Sequence, residues 1–332
     1  MLQFLGLDVA KDSFVAVLIN EAGEVIGPAT TFPNDTKGFA DLLAWLPSPT
    51  STIGMCEPTG VYGQHLKYAL ASSLTSLHEL NAHTLRQFTF SQVRTKTDQA
   101  DALMIADAAR VLYLTKREKL DKCRVSPNPQ RDNLALWLSE YDRLRRAIAM
   151  LRQQIHQLNH HAASDAAQVR KRREQELRLL RVRQTAVQAR IERVYEMLDD
   201  AQARLIDSIP GLGPIATATT LVVVRDLERF QSADALKAYL GIYPRRNQSG
   251  SRERSAHMAH HGNALMRHVL WNAAKAAVRV KHAGNPFRQL FDRLTTKKKG
   301  YAYAIAAVCR KLVQVIYGVL KSKTSFKFAS TA

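Results

Sequence analysis

The feature that most restricts the fold is a stretch of 80 residues, 130–209, that contains neither glycine nor proline. Within it, apolar residues recur at alternating steps of three and four, in one series over 134–158 and a second over 177–205. This spacing places apolar side chains on one stripe of a helix, which is the pattern of a coiled coil. The stretch therefore predicts long helices, and we assign residues 126–202 to a coiled-coil segment.

A polar, basic segment over 159–173 lies between the two series and leaves the path of the chain open. It would form either the tip of an antiparallel helical hairpin or a break in one long helix. The pattern does not separate folding back within a chain from pairing between chains. A spacer or dimerisation arm is favoured over direct nucleic-acid contact by residues 170–173.

Residues 1–125 combine strand and helix patterns, which predicts an α/β domain. Extended segments are predicted over 4–9, 13–19, a stretch ending near Pro33, 52–56 and 76–80, and helices over 36–45, 61–72 and 97–114. Asn34 or Thr36 is available as the N-cap of the first helix. Three successive strands followed by alternating helices and strands are typical of a mixed sheet.

Residues 203–320 are predicted to form a mostly helical domain, followed by a tail over 321–332 that we expect to be loose. Its helices are predicted over 215–224, 232–240, 264–281, 287–294 and 301–320, with a basic loop over 243–255.

Positive charge is concentrated at the end of the chain. The formal net charge is +19, and residues 243–332 contain 18 Lys and Arg against 2 acids. This favours contact with the phosphates of nucleic acid, with an anionic membrane surface or a solvated basic face as alternatives. The three cysteines are widely spaced, which argues against a disulfide framework or a zinc site. With no evident signal peptide and only short apolar runs, we expect a cytoplasmic protein and no membrane association.

Four acids occupy positions that suggest a metal site. Asp8 interrupts an apolar strand, Glu57 ends a second one, and Asp98 and Asp101 are three apart on a predicted helix. Hard cations such as Mg²⁺ or Mn²⁺ take carboxylate oxygens as ligands, and two such ions can promote phosphoryl transfer. The order of a strand Asp, a strand Glu and a helical acid pair predicts an RNase H-like nuclease site.

Each acid also has a structural alternative. Asp8 could bond backbone at the strand end, Glu57 could begin a turn with Pro58, and Asp98 lies in the first turn of its helix, where the macrodipole favours acids. Lys96, just before the acid pair, is either a phosphate contact or an exposed lysine.

The C-terminal part contains two candidate nucleic-acid contacts with structural alternatives. The sequence IPGLG at 209–213 is similar to the turn of a helix-hairpin-helix, where Gly211 and Gly213 would allow close approach to a phosphate. It could also be a tight turn between packed helices. Ser249 stands in the basic loop and could attack phosphorus if arginines stabilise the developing charge, although most such serines are phosphate-binding or turn residues. The arginines of this loop are Arg245, Arg246, Arg252 and Arg254.

Two further clusters in this part are less specific. Lys297, Lys298 and Lys299 are either phosphate contacts or solvated lysines. The histidines His257, His260 and His261 have no acid or cysteine nearby in sequence, so a surface or phosphate contact is favoured over a metal site.

Taken in order, the motifs of the chain resemble those of the DEDD transposases of the IS110/IS1111 insertion-sequence family. They are GLDVAK at 6–11, EPTGVY at 57–62, RTKTDQADA at 94–102, IPGLG at 209–213, LGIYP at 240–244, QSG at 248–250 and GNALMR at 262–267. Arg267 in the last motif is a further candidate nucleic-acid contact. One departure is that His260 and His261 stand where the family often has a Ser-Lys pair, which puts phosphate contacts at those positions in doubt.

The resemblance implies a RuvC-like domain of RNase H fold, a coiled coil and a C-terminal transposase domain. It implies that Asp8, Glu57, Asp98 and Asp101 hold Mg²⁺ (or Mn²⁺) and that Ser249 is the nucleophile that links to DNA. It also implies donor and target DNA, a noncoding bridge RNA that pairs with both, and homodimers or homotetramers in which the serine of one subunit works beside the acids of another. Such a protein would be associated with the bacterial nucleoid.

Two other functions remain open from the sequence. A RuvC-like nuclease or junction resolvase would use the four acids to hydrolyse DNA, with Ser249 only structural. A nucleic-acid scaffold without catalysis would keep the basic surfaces alone, and the presence of all four acids argues against it.

Overall fold

The computed structural model describes residues 2–57, 62–80, 97–198, 200–245, 248–249, 252–253, 257–258, 262–298 and 300–328; over 244–258 only backbone is described. The chain divides into two compact units, Met1–Asn128 and Pro129–Ala332.

The first unit is a mixed α/β domain, as predicted. Its elements are β1 (Gln3–Val9), β2 (Ser13–Asn20), β3 (Thr30–Pro33), α1 (Thr36–Trp45), β4 (Thr52–Cys56), α2 (Gln64–Ala71), β5 (Ser76–Glu79), α3 (Asp98–Thr115) and α4 (Arg117–Asp121). A short 3₁₀ turn, Pro49–Ser51, precedes β4. Each predicted strand and helix of this unit is present, and α4 is an additional short helix.

The five strands form one sheet in the order β3-β2-β1-β4-β5. The first three strands pair antiparallel, and β4 and β5 run parallel to β1. This follows from the connections, because three residues join β1 to β2 and a nine-residue loop joins β2 to β3, whereas a helix separates β3 from β4 and β4 from β5. The mixed sheet agrees with the RNase H-like domain that the resemblance implies.

The sheet separates two apolar layers. On one face, Phe4, Ile53 and Met55 pack with the buried side of α3. On the other face, Leu5 and Leu7 pack with α1 and α2. Because strand side chains alternate between faces, each strand contributes to both layers.

The N-cap of α1 differs from the sequence-based prediction. Asp35 caps this helix, since its side chain accepts a hydrogen bond from Gly38 N at 2.8 Å. Neither Asn34 nor Thr36 fills that position, because the side chain of Asn34 is engaged with carbonyl groups of two loops.

The second unit consists mainly of helices. Its elements are α5 (Pro129–Leu158), α6 (Ala166–Glu196), α7 (Ala201–Asp207), α8 (Pro214–Val224), α9 (Ala233–Tyr239), β6 (Pro244–Arg245), β7 (Gln248–Ser249), β8 (Arg252–Glu253), β9 (His257–Met258), α10 (Ala264–Arg279), α11 (Pro286–Thr296) and α12 (Tyr301–Ser322). A 3₁₀ turn, Leu227–Arg229, lies between α8 and α9.

The glycine-free stretch forms two long helices that pack on each other in antiparallel orientation. Near the base, the Arg190 guanidinium lies 5.7 Å from the centre of the Trp137 ring, and near the tip Arg170 donates to Asn159 at 3.0 Å. The chain therefore folds back on itself here, and one continuous helix is excluded. The assignment as a coiled coil stays a prediction.

The base of this hairpin shares a core with the C-terminal helices. Leu134 and Ile191 belong to the same buried cluster as Leu221 and Leu312. By length and composition, α12 is apolar enough to cross a membrane, although no long uninterrupted apolar run marks it in the sequence. Its buried face packs within this core, which is the pattern of a central helix in a helical domain.

The described part of the C-terminal tail is packed rather than loose, contrary to expectation. Phe326 N donates to Ser208 Oγ at 2.7 Å, and the Phe326 ring stacks on Phe287 with centroids 6.0 Å apart. Phe328 stacks on His282 at 4.0 Å. Two aromatic side chains thus hold this segment against the helical core, a contact that the polar residues around them did not indicate.

Candidate active site

Two of the four acids lie at the adjacent ends of neighbouring parallel strands. The last paired residues of β1 and β4 are Leu7 and Cys56. Asp8 and Glu57 follow them directly, so the register brings these acids to the same edge of the sheet. Both residues are half-buried there.

The same two acids also lie on the same face. Asp8 comes two residues after Gly6, and Glu57 two residues after Met55. Alternation along a strand therefore places both acids on the face that α3 covers.

A close approach at Gly6 sets the direction of α3 on this face. A Cβ atom at Gly6 would lie 2.0 Å from Ala102 O and 2.4 Å from Ala106 N, so only glycine fits. Farther back along β1, the Phe4 ring meets the Tyr113 ring edge-on at 5.5 Å. The helix hence runs antiparallel to β1, and its first turn lies at the edge that carries the strand acids.

The remaining two acids occupy that first turn. Asp98 and Asp101 are three residues apart, and the Thr97 side chain caps the helix by accepting from Ala100 N at 3.2 Å. Asp98 is exposed and Asp101 is half-buried. Residues three apart project from nearly the same side of a helix. All four predicted acids are thus grouped around one edge of the first unit.

The donor set at this edge consists of carboxylate oxygens, which suits hard divalent cations. Among the described residues, no three acidic, histidine or cysteine side chains lie close enough together to hold one ion. A closed set is not required for Mg²⁺, which usually binds through one or two carboxylates and keeps waters or takes substrate phosphates as other ligands. By the chemistry of its carboxylate donors, the edge suits a divalent cation.

An ion pair that the sequence did not indicate lies on the opposite face of the same strands. Lys67 of α2 pairs with Glu79 at the end of β5, and both side chains are largely buried. Glu79 pairs with Cys56 in the sheet register, so this strand-end acid is not a fifth member of the acid group. Burial raises the pKa of the Cys56 thiol to about 12, so this thiol stays protonated and is a poor nucleophile.

The segment around Ser249 contains short strands where a loop was predicted. Ser249 in β7 pairs with Arg252 in β8, and Arg245 in β6 pairs with His257 in β9. These two-residue ladders join residues whose sequence shows no alternating pattern, so local sequence could not reveal them. Arg246, Arg254, His260 and His261, like Lys96 and Lys299, lie outside the described residues.

The two glycines of the 209–213 turn have different surroundings. Gly211 has φ +90°, and a Cβ there would lie 2.5 Å from both Ala273 O and Ala277 N of α10. Gly213 is exposed, has open space around its Cβ position and is the N-cap of α8. Gly211 therefore serves close packing between helices, and Gly213 is the one of the two that leaves backbone accessible to a phosphate.

The other described basic candidates lie apart from this turn in sequence. Arg267 donates to Gly262 O at 2.8 Å, which fixes the start of α10. Lys297 and Lys298 are exposed at the end of α11.

Both units of the chain are similar in sequence to known transposases. Residues 5–162, which include the four acids, match a family of DEDD transposases of the IS110 group, and residues 203–289, which include Ser249, match the transposase IS116/IS110/IS902 family. A pilin gene-inverting protein of Moraxella lacunata is 26% identical, with 97% of each chain covered. The transposase for insertion sequence element IS1111A of Coxiella burnetii is 23% identical, covering 98% of this chain and 92% of its own.

Among solved structures, T. thermophilus RuvC in complex with a Holliday junction substrate aligns with 35% of this chain and 97% of its own, at 9% identity and a TM-score of 0.26. That similarity is too low to bear on the site. The two family matches lie in the expected order and together extend over most of both units, and the relatives align along nearly the whole chain. This chain is a member of the IS110/IS1111 family of DEDD transposases, which are enzymes of DNA strand transfer.

Proposed function

We propose that this transposase cuts and rejoins DNA with a divalent metal site in its first unit and a serine nucleophile in its second. Asp8, Glu57, Asp98 and Asp101 would hold the metal, Mg²⁺ or Mn²⁺. The observation that carries the proposal is the placement of two strand-end acids on one face, next to the helix turn that holds the other two. A bound cation would supply positive charge to the phosphate and to the departing oxygen.

The acids would act from rigid positions. Asp8 and Glu57 extend from strands whose preceding residues are fully buried, and Asp98 and Asp101 extend from a capped helix held against Gly6. Ligands on such elements keep their geometry better than ligands on loops. The acids would therefore orient one scissile phosphate without rearrangement of the sheet.

Ser249 would carry the covalent step. Its hydroxyl loses a proton to a base or water, and its oxygen bonds to phosphorus while the bond from phosphorus to one sugar oxygen breaks. That sugar oxygen takes up a proton and leaves as a hydroxyl. A hydroxyl of another strand can later attack the phosphoserine, releasing the serine and forming the new junction, so the phosphodiester energy is conserved.

Basic residues of the second unit would hold the nucleic acid. They are Arg245, Arg246, Arg252, Arg254, Arg267, Lys297, Lys298 and Lys299, with Lys96 from the first unit, and the backbone of Gly213 would add a phosphate contact. Their phosphate contacts would serve donor and target DNA and a noncoding guide RNA. Homodimers or homotetramers would bring the serine of one subunit to the acids of another.

The alternative function is hydrolysis by the acids alone, as in a junction resolvase. It is separated from strand transfer by Ser249→Ala, with Ser251→Ala as the matched control two residues away. We expect Ser249→Ala to lose both cutting and rejoining of element-end DNA, and Ser251→Ala to retain both. If Ser249→Ala cuts and exchanges strands at the rate of the unmodified protein, the serine assignment is wrong.

Guidance by RNA is tested with the DNA that flanks the gene. We expect a structured noncoding transcript that pairs with both junctions, and a requirement for it in strand exchange by the purified protein. Exchange at full rate without any RNA would contradict guidance and leave the metal and serine proposals in place.

A further inference from the structure

One side chain, Asn34, joins the two loops that leave the sheet after the strand acids. Its amide nitrogen Nδ2 donates to the carbonyl oxygens of Ala10 at 2.9 Å and Tyr62 at 3.0 Å, with a longer contact to Lys11 O at 3.3 Å. Ala10 lies two residues after the first strand acid, and Tyr62 lies five residues after the second. A single amide group thus connects both loops.

The position of Asn34 is itself well supported. Its backbone nitrogen donates to Asp12 O at 3.0 Å. On its other side, Asp35 caps α1, and Gly38 packs so closely on Pro33 that a Cβ there would lie 1.9 Å from Pro33 O. These contacts fix the backbone on both sides of Asn34 and leave its side chain aimed between the two loops.

The pairing of β1 with β4 does not by itself fix the distance between the two acids. The pairing of β1 with β4 ends at Leu7 and Cys56, so Asp8 and Glu57 lie one residue beyond the last pair. Pairing with Val15 of β2 holds the backbone of Asp8 on its other side, so a further link toward the β4 side would set the separation. Asn34 supplies such a link, because it contacts Ala10, just after the first acid, and Tyr62, just before α2.

Only an amide or another donor fits the chemistry at this point. Three carbonyl oxygens surround Nδ2, and carbonyl groups accept hydrogen bonds but do not donate them. The buried Oδ1 of Asn34 accepts none from the residues that the structure describes. An aspartate here would keep the shape and set carboxylate oxygens against carbonyl oxygens.

We infer that Asn34 is a positioning residue: by tying Ala10 to Tyr62, it sets the separation at which Asp8 and Glu57 bind one divalent cation. The inference rests on the proposed metal function of these acids. Asn34 does not touch the metal in this account; it acts through the two loop backbones.

The test measures binding of Mn²⁺ to the full-length protein by electron paramagnetic resonance, without DNA or turnover. In Asn34→Ala we expect the Kd for Mn²⁺ to rise roughly 10-fold or more, the usual effect of removing a partner that orients metal ligands. The matched control is Asn20→Ala. Asn20 lies at the end of β2 that is remote from the acids, and its side-chain amide forms hydrogen bonds of 2.9 Å with Glu24. This control should keep the Kd of the unmodified protein.

A second variant and a second measurement guard against general loss of structure. Asn34→Asp adds negative charge near the acids, which alone would tighten cation binding, but we expect weaker binding because the donor is lost. Hydrogen exchange should become faster at residues 10–13 and 62–64 in both Asn34 variants and stay unchanged in Asn20→Ala.

Two outcomes are distinguishable. If Asp8→Asn abolishes Mn²⁺ binding but both Asn34 variants bind Mn²⁺ as tightly as the unmodified protein, the positioning role is overturned and the metal proposal stands. If Asp8→Asn and the unmodified protein bind Mn²⁺ equally, the metal proposal fails, and the positioning role fails with it.

Discussion

The two units differ sharply in charge. The first, Met1–Asn128, contains 12 basic and 13 acidic residues, whereas the second, Pro129–Ala332, contains 36 basic and 16 acidic residues. The acid group lies in the nearly neutral unit, and the serine segment lies in the strongly basic one. If the acids hold a metal as proposed, the metal-dependent chemistry and the attraction to nucleic-acid phosphates reside in separate parts of the chain, and substitution of an acid should change the rate of cleavage more than the affinity for DNA.

The units nevertheless share one packing device. Gly6 lies against Ala102 and Ala106 of α3, and Gly211 lies against Ala273 and Ala277 of α10. In both units, a glycine contacts two alanines that are four residues apart on a helix. Because glycine has no side chain, its backbone can approach the helix backbone more closely than any other residue could. In the first unit this contact brings a helix start to the acid edge, and in the second it anchors the turn before α8.

The largest expected effect is on catalysis in the first unit. Asp8→Asn should lower the rate of DNA cleavage by roughly 1000-fold, because losing several kcal/mol of charge stabilisation costs a factor of ten for each 1.36 kcal/mol. Affinity for DNA should stay within a few-fold, since the basic residues lie mostly in the other unit. Single-turnover cleavage and fluorescence anisotropy measure the two quantities.

The control for this variant is Asp107→Asn on the same helix. Asp107 lies nine residues after Asp98 and forms an ion pair of 2.6 Å with Arg110. We expect normal cleavage from it. An equal loss of cleavage rate in both variants would mean that removal of any carboxylate from the first unit impairs cleavage, and the assignment of Asp8 to a metal site would lose its support.

The next effect is on stability in the second unit. Gly211→Ala should lower the free energy of unfolding by about 3 kcal/mol or more, because it combines a clash with α10 and a left-handed backbone. Gly213→Ala should lower it by less than about 1 kcal/mol, as the site is open and only the N-cap preference changes. Denaturant unfolding compares them, and equal losses would contradict the packing described for Gly211.

The smallest effect is on nucleic-acid affinity. Replacing Lys297 and Lys298 by Ala should lower the slope of log affinity against log salt by about 1 to 2, with an unchanged rate of the chemical step. The control replaces Lys37 and Lys116, which are exposed in the first unit. If the control lowers the slope as much, the assignment of nucleic-acid binding to the second unit is wrong.

Local patterns predicted nearly all of the first unit because each element carries its own signal. The helix Thr36–Trp45 and the strand Thr52–Cys56 have the bounds expected from sequence. The acid edge was also predictable, since it needs only strand ends and one helix start. The five-residue α4 is too short to show a periodic pattern and was not predicted.

What sequence patterns missed depends on distant partners. The strand Pro244–Arg245 exists through pairing with His257–Met258, and two residues carry no pattern alone. The sequence indicates only a helix-cap role for Asn34, because its contact with Tyr62 joins residues 28 apart. The docking of Phe326 on Ser208 crosses 118 residues and was likewise invisible in a segment expected to be loose.

The most direct test of the account is to trap the protein on DNA and map the covalent link by mass spectrometry. With Mg²⁺ and element-end DNA, we predict a nucleotide attached to Ser249 in the unmodified protein and none in Asp8→Asn, because the serine of the second unit depends on the acid site of the first. Cleavage of DNA without any attached nucleotide, or a link to Ser249 that forms equally in Asp8→Asn, would contradict the account.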